Sequence, residues 1–321
     1  MIEAAERELL EETVRSALAG AEPGASVDGI LAELDWLDLL EAEPDDAIDI
    51  VFGALGSEGA RASALDDVLA SALGQAPRSD RAVLLPPFAG WDPPGRVEHG
   101  DLAARGLASA RVADAHELLV VCGPAEAPRL ARLPVAAVEL RPLAGIDPAG
   151  GAFSVRAKSG GGETQPLEVG AWQAAVALGR RAVAHQIGGA CRSMLELARA
   201  HALEREQFGH PIAGFQAVRH KLAEALVALE SLEAALGAAR AEPGAETAAA
   251  AKALAGRAVR RVGRHGQQVL AGVGFTTEHS FHLFLKRVLA LEGLFGSADA
   301  IALAFGQRLL AERRVPRLIE L

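Results

Sequence analysis

The chain has 321 residues, half of them hydrophobic, 4% aromatic and none tyrosine, with a formal charge of −10 at pH 7. That is enough apolar material for one large or two to three small domains with a core of Ala, Leu and Val. The dispersed basic residues exclude a nucleic-acid surface, no uncharged run is as long as a membrane span, and Cys122 and Cys191, with no C-x-x-C spacing, read as buried thiols. The opening Met1-Ile2-Glu3-Ala4 has no basic stretch followed by an apolar one, so no signal peptide is expected and the cytoplasm is the expected compartment.

Residues 1–75 read as an N-terminal helical domain. Leu9, Leu10, Val14 and Leu18 recur at helical spacing, and Gly20 with Pro23 ends that segment. Leu31, Leu34, Leu37 and Leu40 form a second stripe beside Trp36, and further helices are predicted over 46–55 and 64–73. Residues 76–164 read as a reduced β-domain and linker. Prolines punctuate short runs at 81–85, 117–121 and 135–140 that predict strands, and Gly160-Gly161-Gly162 marks a linker. No Gly-Lys-Ser/Thr follows these glycines, so they are not a phosphate loop. Residues 165–321 read as a C-terminal four-helix bundle. One helix carries Val176, Val183, Ile187, Cys191 and Leu195, and the next carries Val218, Leu222, Leu226, Leu229 and Leu232. A third spans about 246–270, and a fourth begins near Glu278 and breaks near Gly293–Gly296.

Between the first two bundle helices lies Arg205-Glu206-Gln207-Phe208-Gly209-His210-Pro211-Ile212-Ala213-Gly214-Phe215-Gln216. Proline and glycines predict a turn. Arg205, Gln207, Gln216, Phe208 and Phe215 are means of holding an anionic, ring-bearing ligand. A second stretch, Gln268-Val269-Leu270-Ala271-Gly272-Val273-Gly274-Phe275, puts glycines at a helix end. There the backbone can approach an anion, although a plain glycine cap is the blander reading. The first stretch resembles the R-x-Q-F-G-x-P-I-x-x-F-Q signature of the acyl-CoA dehydrogenase family, and the second its Q-x-x-G-G-x-G-[FY] run with Ala271 replacing a glycine.

The resemblance implies a mainly α fold with a small β-region, an FAD shared with a neighbouring subunit, and an acyl-CoA thioester substrate. It implies that Arg205, Gln207, Phe208, Ile212, Gln216, Gln268, Gly272 and Gly274 hold the adenosine-diphosphate half of the flavin. It also implies two places for the carboxylate that removes the α-proton. Here they hold Phe295 and Gly179, neither of which can abstract a proton. The family's W-x-[IT]-[ST] strand against the flavin ring has no counterpart, since Trp91 runs into Asp92-Pro93-Pro94.

Three other sets of residues come into consideration. Glu292, three residues before Phe295, is the fallback base if the two share a helical face, and Glu278 is read as opening a helix. His279 and His282 have an i, i+3 spacing that can bind metal, but with no third ligand they read as surface histidines. The expected function is therefore a non-catalytic subunit of a heteromeric α2β2 acyl-CoA dehydrogenase, with a full-length catalytic partner that binds most of the substrate. Electron-transfer flavoprotein is the expected acceptor, and steroid side-chain thioesters are a substrate class suggested by analogy. The alternatives are an active homo-oligomer using Glu292 and a flavin-free structural or regulatory homologue.

Overall fold

The computed structural model describes residues 3–22, 25–98, 101–160 and 164–313. Five helices come first: α1 (Ala4–Leu18), α2 (Asp28–Glu33), α3 (Trp36–Ala42), α4 (Pro44–Ser57) and α5 (Ala64–Ala72). Pro44 opens α4 at a position where a missing N–H costs nothing. Val14, Leu18, Leu31, Trp36 and Leu40 converge with Ile48, Val51, Phe52 and Leu55 in one core.

The middle region is an eight-stranded mixed sheet. Its strands are β1 (Arg81–Val83), β2 (Gly95–Glu98), β3 (Asp101–Ala108), β4 (Glu117–Cys122), β5 (Arg129–Pro134), β6 (Glu139–Pro142), β7 (Phe153–Gly160) and β8 (Thr164–Pro166). Strands run in the order β6-β7-β3-β2-β4-β5-β8, with β1 parallel to β4. The predicted strands at 81–85 and 117–121 are found as β1 and β4. The predicted strand at 135–140 is corrected: after Pro134 the chain makes a 3-10 turn over Val135–Ala137, and only Glu139–Pro142 pairs. Strand β3 escapes prediction because Asp-Leu-Ala-Ala-Arg-Gly-Leu-Ala has no β-branched residue. Of the expected glycine linker, Gly160 ends β7, and Gly161 and Gly162 lie outside the described residues.

Helices α6 (Ala171–Glu204), α7 (Gln216–Ala241), α8 (Ala245–Leu270), α9 (Phe281–Glu292) and α10 (Ala298–Glu312) build the C-terminal bundle, and a hairpin of β9 (Glu206–Gln207) and β10 (His210–Pro211) joins α6 to α7. A single apolar core runs from Leu69, Val83 and Val121 through Val183, Ile187 and Met194 to Leu229, Val262 and Phe281, so sheet and bundle share an interior. The N-terminal helices join it through glycine. A Cβ on Gly56 would lie 2.0 Å from Gln186 O, and one on Gly189 2.1 Å from Gly53 O. Helices α4 and α6 therefore cross backbone to backbone. Cys122 and Cys191 are both buried, and burial pushes the Cys191 thiol up to about 12.

Candidate flavin-side surface and substrate cleft

The signature stretch is a protrusion at one end of the bundle. Ile212 N–H donates to Arg205 O at 2.8 Å and closes the base of the hairpin. Ile212 and Ala213 pack on Ala198, Ala202 and Val269, which pins the end of α8 to the same place. The two motifs, more than fifty residues apart in sequence, thus meet at one bundle end.

At the hairpin tip Phe208 and Gly209 both have positive φ, 57° and 83°. This is the two-residue turn that ordinarily takes Asn-Gly, and a bulky residue there is strained. Phe208 is also 89% exposed, touching Phe215 edge-on at 6.1 Å. Neither burial nor turn preference accounts for a phenylalanine here, so the position points to recognition of something outside the chain.

Arg205 is exposed and makes no ion pair or side-chain hydrogen bond with a described residue; burial first, and then the charges of His279 and Arg205, disfavour protonation of His201. Among the described residues, then, no glutamate on the bundle surface engages Arg205. Gln216 is the first residue of α7, whose N-cap Phe215 provides no capping side chain. Val218 and Arg219 N–H bond Phe215 O, which leaves those of Gln216 and Ala217 free within the first turn, and the loop leading into this positive helix end is tied back to Arg205 O by Ile212 N–H. The glycine motif lies instead past the C-terminal end of α8, where the dipole repels anions. The positive charge at this surface is thus that of Arg205 and of the α7 N-terminus.

Gln268 and Gly272 are exposed, and an added Cβ on Gly272 would meet nothing within 4 Å. Gln207 is exposed with only a local bond to Glu206 O. Gly274 is buried, its would-be Cβ 2.8 Å from Leu270 Cβ, and Ile212 is held in the apolar cluster. Those two shape the surface from below.

Around Phe295 the packing is tight. Helix α9 ends at Glu292, and Phe295 lies beyond it with φ 55°, so the expected shared helical face is corrected. The Phe295 ring is 1% exposed and occupies the space beside Gly179, where a Cβ would lie 2.8 Å from its edge. The two positions where a base is expected are thus in contact, and ring carbon fills the space between them. Two groups missed by sequence reading hold the loop. Arg180 Nε donates to Phe295 O at 3.0 Å, with its guanidinium 5.2 Å over the Trp91 ring. Lys252 Nζ donates to Glu292 O at 2.7 Å and Gly296 O at 3.0 Å. Burial lowers Arg180 to about 10 and Lys252 to about 8. A lone arginine beside glycine and a lysine in an alanine-rich helix give no sequence signal, because the partners are carbonyls forty or more residues away.

A cavity of about 450 Å3 opens between sheet, bundle and N-terminal helices, with Leu65, Leu85, Phe88, Leu107, Leu291 and Leu294 among its walls. Its polar rim is mostly committed within the chain. Asp147 binds Arg287 at 2.5 Å, Arg287 also donates to Ala60 O, and Ser109 is held by Asp66 and by Arg111 N–H. Glu292 lines it too, with Oε1 accepting from Ala298 N–H at 2.7 Å and Oε2 unbonded among the described residues. Glu278 proves to lie in the turn before α9, not at its first residue. His279 and His282 have ring nitrogens in local contacts, His279 Nδ1 accepting from Phe281 N–H and His282 Nδ1 lying 2.8 Å from His279 O.

Residues 170–310 match the family model of the acyl-CoA dehydrogenase C-terminal domain. The curated relatives include acyl-CoA dehydrogenase IpdE2 of Mycolicibacterium smegmatis, 36% identical over 113 residues, which are 35% of this chain and 36% of the relative. Another is acyl-CoA dehydrogenase FadE34 of Mycobacterium tuberculosis, 37% identical over 36% of this chain and 17% of the relative. Over residues 170–310 the chain carries the C-terminal domain of the acyl-CoA dehydrogenase family. The matched part spans about a third or less of the length of these relatives. Fold similarity to solved acyl-CoA dehydrogenases extends over nearly the whole chain. The ChsE4-ChsE5 complex of Mycobacterium tuberculosis superposes with a TM-score of 0.77 at 20% identity, over 99% of both chains. A variant of the Tcur3481-Tcur3483 steroid ACAD gives 0.78 at 18%, over 96% of this chain and 98% of that one.

Acyl-CoA dehydrogenases are FAD-dependent as a family. The residues at the bundle end fit the diphosphate half of such a cofactor: an unpaired arginine, an uncapped helix N-terminus and exposed glutamine amides. Around the cavity the fit to a flavin ring is poor, since Ser109, Asp147 and Arg287 spend their polar groups inside the chain. Among the described residues no helix is long and apolar enough to cross a membrane.

Proposed function

We propose that this chain is a non-catalytic subunit of a heteromeric, FAD-dependent acyl-CoA dehydrogenase. The observation that carries the reading is the contact of Phe295 with Gly179, which fills both base positions with apolar packing. The partner is a full-length dehydrogenase subunit that brings the carboxylate and binds most of the acyl-CoA. Bound FAD supplies the hydride acceptor for the substrate β-carbon. The role of this chain is to orient the diphosphate half of that cofactor through Arg205, Gln207, Phe208, Gln216, Gln268 and Gly272. Support for a two-chain assembly comes from the fold neighbours named as the ChsE4-ChsE5 complex and Tcur3481-Tcur3483. The naming of the latter as a steroid ACAD is what favours steroid-derived thioesters within the acyl-CoA class. Electron-transfer flavoprotein and the cytoplasm complete the proposal as acceptor and compartment.

Arg205→Ala tests it. A charge-assisted contact to a diphosphate contributes about 1.5–3 kcal/mol, roughly ten- to a hundred-fold in affinity. Titrating FAD into the apo complex, variant against parent with circular dichroism as the folding control, is expected to show that loss. Equal affinities contradict the assignment.

One observation favours a second reading, an active homo-oligomer with Glu292 as base: Glu292 lines the cavity with Oε2 unbonded. Glu292→Gln keeps an oxygen for the Ala298 N–H. Under the first reading turnover of the complex is unchanged within a few-fold. A fall of about a hundredfold or more, typical for loss of a general base, supports the second.

A further inference from the structure

The cavity of about 450 Å3 between sheet, bundle and N-terminal helices has walls fixed by bonds across the chain. Ala89 N–H donates to Gly293 O at 2.7 Å, and the Phe88 ring covers Gly293, where a Cβ would lie 2.6 Å from its edge. A second wall is held by Arg287, which bonds Asp147 of the β6–β7 loop and Ala60 O beyond α4. Phe88, Ile146 and Leu289 line the cavity and are 48%, 52% and 41% exposed, so its mouth is apolar as well. Large apolar side chains left in contact with water around a cavity mark a ligand site.

One polar group inside has no account in the fold. Gln186, from the middle of α6, lines the cavity, is 8% exposed, and makes no side-chain hydrogen bond with a described residue. A buried carboxamide without a partner carries a desolvation cost that an apolar residue in its place would not. The other unspent atom is Glu292 Oε2. We infer that the cavity binds an uncharged, largely apolar alcohol, its hydroxyl on the Gln186 carboxamide. The inference goes beyond the heteromeric reading and does not depend on it. A flavin ring is the wrong guest, because its edge carries several donors and acceptors while Asp147, Arg287 and Ser109 are already bonded within the chain. Glu292 turns away a carboxylate by like charge, and the nearby Lys252 and Arg287 do the same to an ammonium. A hydroxyl matches the carboxamide as donor and as acceptor, and the hydrocarbon matches the walls.

The test is calorimetric titration of the purified full chain, and of its complex with a full-length dehydrogenase, with decanol, decanoate, decylamine and lumiflavin. Decanol is expected to bind more tightly than decanoate or decylamine, and lumiflavin is expected not to displace it. Gln186→Leu is expected to bind decanol about tenfold more weakly, the worth of one hydrogen bond, while its thermal midpoint stays equal to or above that of the parent. A residue that merely packs would lower binding and stability together. Glu292→Gln is expected to narrow the gap between decanoate and decanol. No decanol binding by the parent, alone or in the complex, overturns the inference and leaves the heteromeric reading standing, since that rests on Phe295 and Gly179. Parent-like affinity of Gln186→Leu overturns it as well. Tighter binding of decanoate or decylamine than of decanol overturns the uncharged class, and displacement of decanol by lumiflavin overturns the inference in favour of a flavin ring. Where no complex forms, the heteromeric reading fails and titration of the chain alone still decides the inference.

Discussion

Phe295 and Gly179 fit each other as ring and gap, and two buried cations hold the fit. Lys252 is fully buried, bonded to two carbonyls, and lowered from its ordinary value of about 10.5 to about 8, with burial the main cause. Between those pH values the unfolded chain binds the proton and the folded chain does not, so this residue makes stability rise with pH. Its cost to the fold is fully present below pH 8 and disappears as pH passes 10.5. Against Lys252→Met, the parent is expected to gain about 3 kcal/mol over that window, at roughly 1.36 kcal/mol per unit. Urea unfolding of both proteins at steps from pH 7.5 to about 10.5 measures the difference. A difference that stays flat with pH means the lysine remains protonated in the folded state.

At the scale of elements, the sequence was most legible where helical periodicity was long. The ranges of α6, α7 and α8 follow from apolar spacing, and the Arg205 stretch is the turn that its proline and glycines predict. The sheet was half legible, because β3 and the edge strand β6 lack the β-branched residues that mark strands. That the two motifs share one bundle end could be expected only from the resemblance. In the structure it rests on Val269, Ile212 and Ala213 meeting on α6, a contact invisible to local pattern. The plug was illegible for a related reason: Phe295 reads as a missing base, and nothing local shows that its ring seats on Gly179. The hairpin offers a test in which stability and binding move in opposite directions. Phe208→Asn places the favoured residue in the turn and is expected to stabilise the chain by about 1 kcal/mol. The same change is expected to weaken FAD binding by the complex several-fold, because an aromatic surface is lost. Thermal unfolding and FAD titration of one variant read both effects, and unaltered FAD affinity removes Phe208 from the cofactor surface.

For the whole molecule, the features divide by location. The cavity between sheet and bundle has apolar walls, a mostly committed polar rim and a sealed base position. The bundle end carries the uncapped helix N-terminus. The exposed groups without a partner among the described residues, Arg205 and Phe208 foremost, lie at the bundle end, as expected of a subunit that completes another subunit's site. The most direct measurement is acyl-CoA oxidation together with flavin content, for the purified chain alone and for its co-expressed complex with a full-length dehydrogenase. The account predicts a chain that alone is colourless or only weakly flavinylated and shows no turnover, and a complex that is yellow and active. Tight stoichiometric FAD with turnover in the isolated chain contradicts it.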